Sequence, residues 1–234
     1  METLFVPAYA SATYRLPESV LTEISSLAGE KKQVGLCSAV QFVRSLPGMR
    51  EQLERAGYSV SMITGTRSRK EGQVLGCDAP ENVDVGLVLY VGDGMFHPRG
   101  VQLKNPVEVL VYNPFSEKLQ CISEKDAERL RRRQQGAYLR FLESAAVGVL
   151  ISLKPGQCRI ALYEGIRKKF PSKKYYPVIF DSIDFSSLED FPFIDVWVNT
   201  ACPRIGYEDV TRAQKPVLNA EYLLSSEVPP ESDG

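Results

Sequence analysis

Five cysteines (Cys37, Cys77, Cys121, Cys158, Cys202) and one histidine (His97) are the residues best suited to hold a metal or act as a nucleophile. The cysteines lie roughly 40 residues apart, with no CxxC and an odd total, a pattern that fits neither a secreted disulfide framework nor a zinc knuckle. They are either small hydrophobes or long-range ligands. No G-x-S-x-G nucleophile elbow occurs, and Gly92-Asp93-Gly94 lacks the third glycine of a dinucleotide fingerprint. His97, in a Phe-His-Pro turn, serves as a general acid or base, or fixes its loop by hydrogen bonding. Arg131-Arg132-Arg133 reads first as a solvated helix face.

These residues need a scaffold, and the composition is that of an ordinary globular chain. Of 234 residues, 44% are hydrophobic and 24% charged, and 28 basic against 29 acidic residues give a net charge of −1. This balance argues against a broad nucleic-acid or membrane surface. The longest apolar runs, Ala145–Leu153 and Val85–Gly92, fall far short of the ~20 residues that cross a bilayer. The expectation is a cytoplasmic protein with no membrane contact and no direct nucleic-acid contact.

Hydrophobic patterning predicts a strand at Val34–Cys37, a helix around Met49–Ala56 closed by Gly57, a strand at Ser59–Thr64, a polar loop over 65–72 and a fully buried strand at Asp84–Gly92. A long helix follows from Ser123 to about Ala146. Ser123 is its cap and Asp126 stands at the reciprocal box position. Leu130, Ala137, Tyr138, Phe141, Leu142 and Ala145 form its apolar stripe. The pattern then recurs: a strand at Val147–Leu153, a helix between about Gln157 and Phe170, a strand at Tyr176–Asp181, a short turn or helix at Ser187–Asp190 and a strand at Ile194–Thr200. The fold class read from this order is α/β, as two tandem, similar three-layer modules with parallel-type sheets, divided at 1–121 and 122–234.

Ligands of open parallel sheets collect at the carboxyl ends of the strands. In the first module that edge carries Cys37 to Gln41, Gly76-Cys77-Asp78 and Gly92 to Pro98. In the second it carries Lys154 to Cys158, Asp181 to Asp184 and Thr200 to Arg204. Four of the five cysteines thus fall on the predicted edge.

At the same residues the chain resembles a known family, the diphthamide biosynthesis enzymes that make 2-(3-amino-3-carboxypropyl)histidine on translation elongation factor 2. The matching stretches are Val40-Gln41, Gly72 to Asp78 (GQVLGCD), Tyr90 to Pro98 (YVGDGMFHP), Tyr112 to Phe115 (YNPF), Arg131 to Arg133, and Thr200 to Ile205 (TACPRI). Leu-Gly-Cys-Asp, Phe-His-Pro and Ala-Cys-Pro-Arg together are specific.

The resemblance implies a radical transferase that binds S-adenosylmethionine without a clustered CxxxCxxC motif. Its [4Fe–4S] cluster is held by three cysteines, one from each of three similar α/β domains. Here the two modules correspond to the middle and C-terminal domains, with Cys77 and Cys202 as the two metal ligands. Three protein ligands leave one iron open to the sulfonium cosubstrate, whose cleavage delivers a 3-amino-3-carboxypropyl radical to the histidine. Gln41, Gly92, Asp93, Gly94, His97 and Gln157 are implied to line the cofactor pocket.

On this resemblance the family's N-terminal domain and its cysteine are expected to be missing, since Leu4-Phe5-Val6-Pro7 resembles the start of the middle domain. Three explanations follow. A separate subunit supplies that domain in a homo- or hetero-oligomer, the chain is a non-catalytic accessory or scaffold subunit, or Cys37 or Cys158 substitutes as the third ligand. The first is favoured, because both expected cysteines keep their surrounding motifs. Cys158 also stands where a Gln-Gly-Asn-like turn is expected, so that loop is altered.

Overall fold

The computed structural model describes residues 4, 6–122, 124–207 and 209–225, with the side chains of Glu124 and Asp126 outside the description. The expected cap Ser123 and the box side chain of Asp126 lie outside the described residues, as do Met1 and Phe5 of the opening segment. The chain divides into two compact units, Met1–Glu128 and Arg129–Gly234.

The first unit runs α1 (Glu18–Ala28), β1 (Gln33–Ser38), a 3-10 turn (Val40–Ser45), α2 (Leu46–Arg55), β2 (Ser59–Met62), β3 (Leu87–Val91), α3 (Phe96–Lys104), β4 (Glu108–Asn113) and β5 (Lys118–Cys121). Its sheet has the order β2-β1-β3-β4-β5, parallel except for β5, which pairs antiparallel with β4 at the edge. All five residues of β3 are buried because both faces are covered. Leu87, Leu89 and Val91 pack with Val20 and Ile24 of α1 and Met49 and Leu53 of α2, while Val88 and Tyr90 pack with Val101 of α3. Three layers result.

The second unit runs α4 (Glu124–Glu143, which begins in the first), β6 (Ala146–Ser152), α5 (Ile160–Lys169), β7 (Lys174–Phe180), a 3-10 turn (Ser186–Asp190), β8 (Val196–Asn199), α6 (Arg204–Tyr207), a 3-10 turn (Asp209–Arg212), β9 (Val217–Asn219) and α7 (Ala220–Ser225). The sheet order β7-β6-β8-β9, all parallel, repeats the β2-β1-β3-β4 order of the first. Ala137 and Phe141 of α4, Ile166 of α5 and Leu223 of α7 cover one face, and Phe185, Leu188, Ile194 and Ile205 cover the other.

Several local expectations are corrected. Phe96-His97-Pro98 is the first turn of α3, where proline's missing N–H costs no helical hydrogen bond. The helix expected from about Gln157 begins at Ile160, because Gly156 takes a positive φ of 76° and the amides of Gln157 and Cys158 both donate to the Lys154 carbonyl in a tight turn. Ala145 is exposed beyond the end of α4, and Gln134 is buried on that helix. Among the described residues no helix is long and apolar enough to cross a membrane.

Candidate metal centre

In the first unit the strand order reverses direction beside β1, so the carboxyl ends of β1 and β3 open a crevice where loops meet. The excursion between β2 and β3 folds back over this end. Ser38 N–H donates to the Gly72 carbonyl at 2.8 Å, and Val74 N–H donates to the Ser38 carbonyl at 2.9 Å, extending β1 by one parallel bridge. That pairing brings the Cys77 loop to the carboxyl end of β1, with the Cys77 side chain half-buried.

Asp78, 2% exposed, locks the loop from the inside. Its carboxylate accepts from Leu75 N–H at 2.7 Å and from Ser68 Oγ at 2.8 Å, so its burial is matched by hydrogen bonds. Arg67 Nη2 donates to Cys77 Sγ at 3.0 Å. On the other side Gly76, with φ 77°, passes so close to α3 that a Cβ there would stand 3.0 Å from His97 Cα. A Cβ on Gly100 would stand 2.6 Å from the Gly76 carbonyl oxygen. The cysteine loop and the histidine helix are thus in backbone contact.

Around this centre, His97 is half-buried and stacks on Tyr90, with ring centroids 6.2 Å apart and planes at 12°. Burial raises the Tyr90 phenol well above its ordinary pKa, which keeps it protonated. Gly92, buried after β3, donates its N–H to the Tyr112 carbonyl. Asp93 and Gly94 are exposed at the rim, and Asp93 accepts from Asn113 Nδ2 at 3.0 Å. Gln41 is half-buried in the 3-10 turn after β1, and its carbonyl accepts from Ala10 N–H. The first unit therefore carries Cys77, Gln41, Gly92, Asp93, Gly94 and His97 on elements that end at one sheet edge.

In the second unit Cys202 follows β8 and is half-buried with a free thiol. Its backbone is held by amides that sequence reasoning missed. Asn199 Nδ2 donates to the Cys202 carbonyl at 2.9 Å and to Asn219 Oδ1 at 2.7 Å. Asn219 Nδ2 donates to the Pro203 carbonyl at 3.0 Å, and Asn219 N–H donates to Gln134 Oε1 at 3.0 Å. Arg159 clamps the same loop, donating to the carbonyls of Thr200 and Ala201 and pairing with Glu221 of α7. The available signal was an amide closing each apolar run, Val-Trp-Val-Asn and Val-Leu-Asn. Gln157, half-buried, sits in the turn after β6, on the same sheet edge as Cys202.

The remaining cysteines behave differently. Cys37 does not face the edge. It sits inside β1 opposite Tyr90, fully buried among Ile63, Val74 and Val88, and desolvation drives its thiol pKa far up, so it is a core hydrophobe and no substitute ligand. Cys158 is exposed in the turn before α5. Cys121 is exposed on β5, with its pKa pushed up to about 11 by partial burial and by the neighbouring Glu108.

Among the described residues no group of three or more His, Cys, Asp and Glu side chains gathers to hold a metal ion. What the chain offers is soft sulfur at two separately anchored loops. Thiolate is the donor that iron–sulfur clusters take, and the guanidinium on Cys77 matches the negative charge of a ligating sulfur. Taken singly, each loop offers a donor of the type that iron–sulfur clusters take.

A family model described as "Putative diphthamide synthesis protein" matches residues 1–225. The 2-(3-amino-3-carboxypropyl)histidine synthase of Pyrococcus horikoshii is 31% identical over 229 residues, which are 94% of this chain and 64% of that protein. The human synthase subunit 1 is 30% identical over 189 residues, 79% of this chain and 42% of its own. The crystal structure of Dph2 from Pyrococcus horikoshii with a 4Fe-4S cluster matches with a TM-score of 0.78 at 28% identity, covering 94% of this chain and 63% of that one. The chain therefore spans less than two thirds of the length of these relatives. By the family model matched along nearly its whole length, the chain belongs to the diphthamide synthesis protein family.

Proposed function

We propose that this chain is part of a transferase that moves the 3-amino-3-carboxypropyl group of S-adenosylmethionine to a histidine of translation elongation factor 2, in the cytoplasm, as the first step of diphthamide synthesis. The observation that carries this reading is the placement of Cys77 and Cys202. Each is a half-buried cysteine on a hydrogen-bonded loop at the carboxyl edge of its own sheet, in a family with a cluster-bearing structural relative. In this reading both thiolates ligate one [4Fe–4S] cluster, and a separate subunit supplies the third cysteine. When bound, the cluster supplies the electron that breaks a carbon–sulfur bond of the sulfonium.

The work of the chain itself is holding and shielding. Asp78 and the Ser38–Gly72 pairing fix the Cys77 loop, and the Asn199, Asn219 and Arg159 contacts fix the Cys202 loop, so neither sulfur has to be ordered when a cluster arrives. Gln41, Gly92, Asp93, Gly94, His97 and Gln157 supply the polar rim that orients the cosubstrate. The exposed Asp93 carboxylate presents negative charge toward a cationic sulfonium.

The test is anaerobic iron–sulfide reconstitution of the chain co-expressed with a single-domain partner bearing one loop cysteine. About four irons per complex and a broad thiolate-to-iron charge-transfer absorption are expected. Uptake unchanged after combining Cys77→Ala with Cys202→Ala would sink the proposal.

A further inference from the structure

Arg67 belongs to the polar loop after β2, where a solvated cation is the ordinary expectation. Its guanidinium instead reaches the Cys77 sulfur at 3.0 Å. The backbone holds it there. Thr66 N–H donates to the Asp78 carbonyl at 2.9 Å, Ser68 Oγ donates to Asp78 Oδ2 at 2.8 Å, and Ser68 N–H closes the turn on the Gly65 carbonyl at 3.0 Å. The residues on both sides of Arg67 are thus tied to the residue that follows Cys77. The turn and the cysteine form one rigid clip, and the arginine is carried over the sulfur by that clip. Cys202 differs, since among the described residues of its own unit no side chain donates to its sulfur.

An N–H donor on a ligand sulfur withdraws electron density from the metal, and a cation beside it favours the more negative, reduced state of a cluster. Hydrogen bonds to a charged partner are also roughly twice as strong as neutral ones. We infer that Arg67 is a positioning and tuning residue for Cys77: it aims the ligating sulfur and raises the reduction potential of the cluster bound there, easing the one-electron reduction on which the transfer depends. This inference rests on the cluster reading above and adds to it a residue and a measurable property.

The experiment loads the wild-type complex and the Arg67→Met and Arg67→Lys variants with iron and sulfide under anaerobic conditions. Iron content is measured first. The reduced-to-oxidised ratio is then followed by electron paramagnetic resonance in a mediated titration with dithionite as electron source. The expected result is wild-type iron content in Arg67→Met with a reduced fraction about tenfold lower at fixed potential, equivalent to about 59 mV for a one-electron couple. Arg67→Lys, which keeps the charge and loses the fork, falls between. Loss of iron in Arg67→Met with retention in Arg67→Lys also supports the inference, because charge at the sulfur then decides loading. Equal iron and equal ratios in all three proteins overturn it while leaving the cluster reading intact. Equal loss of iron in both variants overturns it as well, since it assigns Arg67 to folding of the loop. A wild-type complex that takes up no iron overturns both.

Discussion

Asn199 and Asn219 stand opposite each other at the ends of the neighbouring parallel strands β8 and β9, and the Asn199 amide donates to the Asn219 side-chain oxygen at 2.7 Å with both residues fully buried. Each amide has a second task, since Asn199 also holds the Cys202 carbonyl and Asn219 the Pro203 carbonyl. Asn199→Ala leaves buried partners unpaired and is expected to cost about 1–3 kcal/mol in denaturant unfolding. The same substitution should speed alkylation of Cys202 while leaving Cys77 unchanged. Equal alkylation rates for Cys202 in wild type and variant would remove the anchoring role.

Glycine-to-alanine substitution in two helices should act with opposite signs. In α4, Gly136 faces open space, and Gly136→Ala is expected to stabilise by about 1 kcal/mol through helix propensity. In α3, an added Cβ at Gly100 meets the Gly76 backbone at 2.6 Å, so backbone must shift to admit it. Gly100→Ala should destabilise by about 1–3 kcal/mol, as overpacking does, and displace the Cys77 loop. Thermal unfolding of the two variants side by side measures the contrast.

The Glu108 carboxyl is held below the ordinary carboxylate range, chiefly by the hydrogen bond from Lys31 Nζ at 2.7 Å. A folded-state pKa below the unfolded value means that stability is present above the unfolded pKa and is lost as pH falls through the folded one. Both side chains are partly exposed, so the effect is small and salt-sensitive. Lys31→Met should flatten the acid limb of a stability–pH curve below about pH 4.5, the ordinary carboxyl pKa. An acid limb of unchanged slope would show that other carboxylates govern it.

Cysteine replacement should separate the proposed ligands from the core. Cys37→Ala removes a buried sulfur and is expected to cost about 1–2 kcal/mol, in the range of small core truncations, with iron content per complex unchanged. Cys77→Ala should leave stability nearly unaltered and lower iron content. A loss of iron in Cys37→Ala with the fold intact would contradict the assignment of Cys37 to the core.

How much of this was legible follows from what each residue has to satisfy. β3 could be read because an apolar run without alternation has one cheap solution, a strand covered on both faces. The start of α2 lies at Leu46, ahead of the predicted Met49, because Pro47 is welcome in a first turn and marks no break there. α3 was hidden for the same reason, as Phe-His-Pro reads like a turn until its helix is seen. β5, short and largely exposed, has too little pattern to announce an antiparallel edge. Cys77 and Cys202 were singled out as candidate ligands by motif. Arg67, Arg159, Asn199 and Asn219 were not, because their partners lie on other loops and strands and only the folded chain brings them within reach.

The two sheets share one strand order, yet their thiols occupy different places in it. Cys77 rides the excursion that precedes β3, whereas Cys202 comes directly after β8, the strand that corresponds to β3. One strand order thus carries the same chemical group at two different places. Swapping one half for the other would therefore rebuild the walls and move the sulfur, and an engineer who grafts such a half must transplant its loop along with its cysteine.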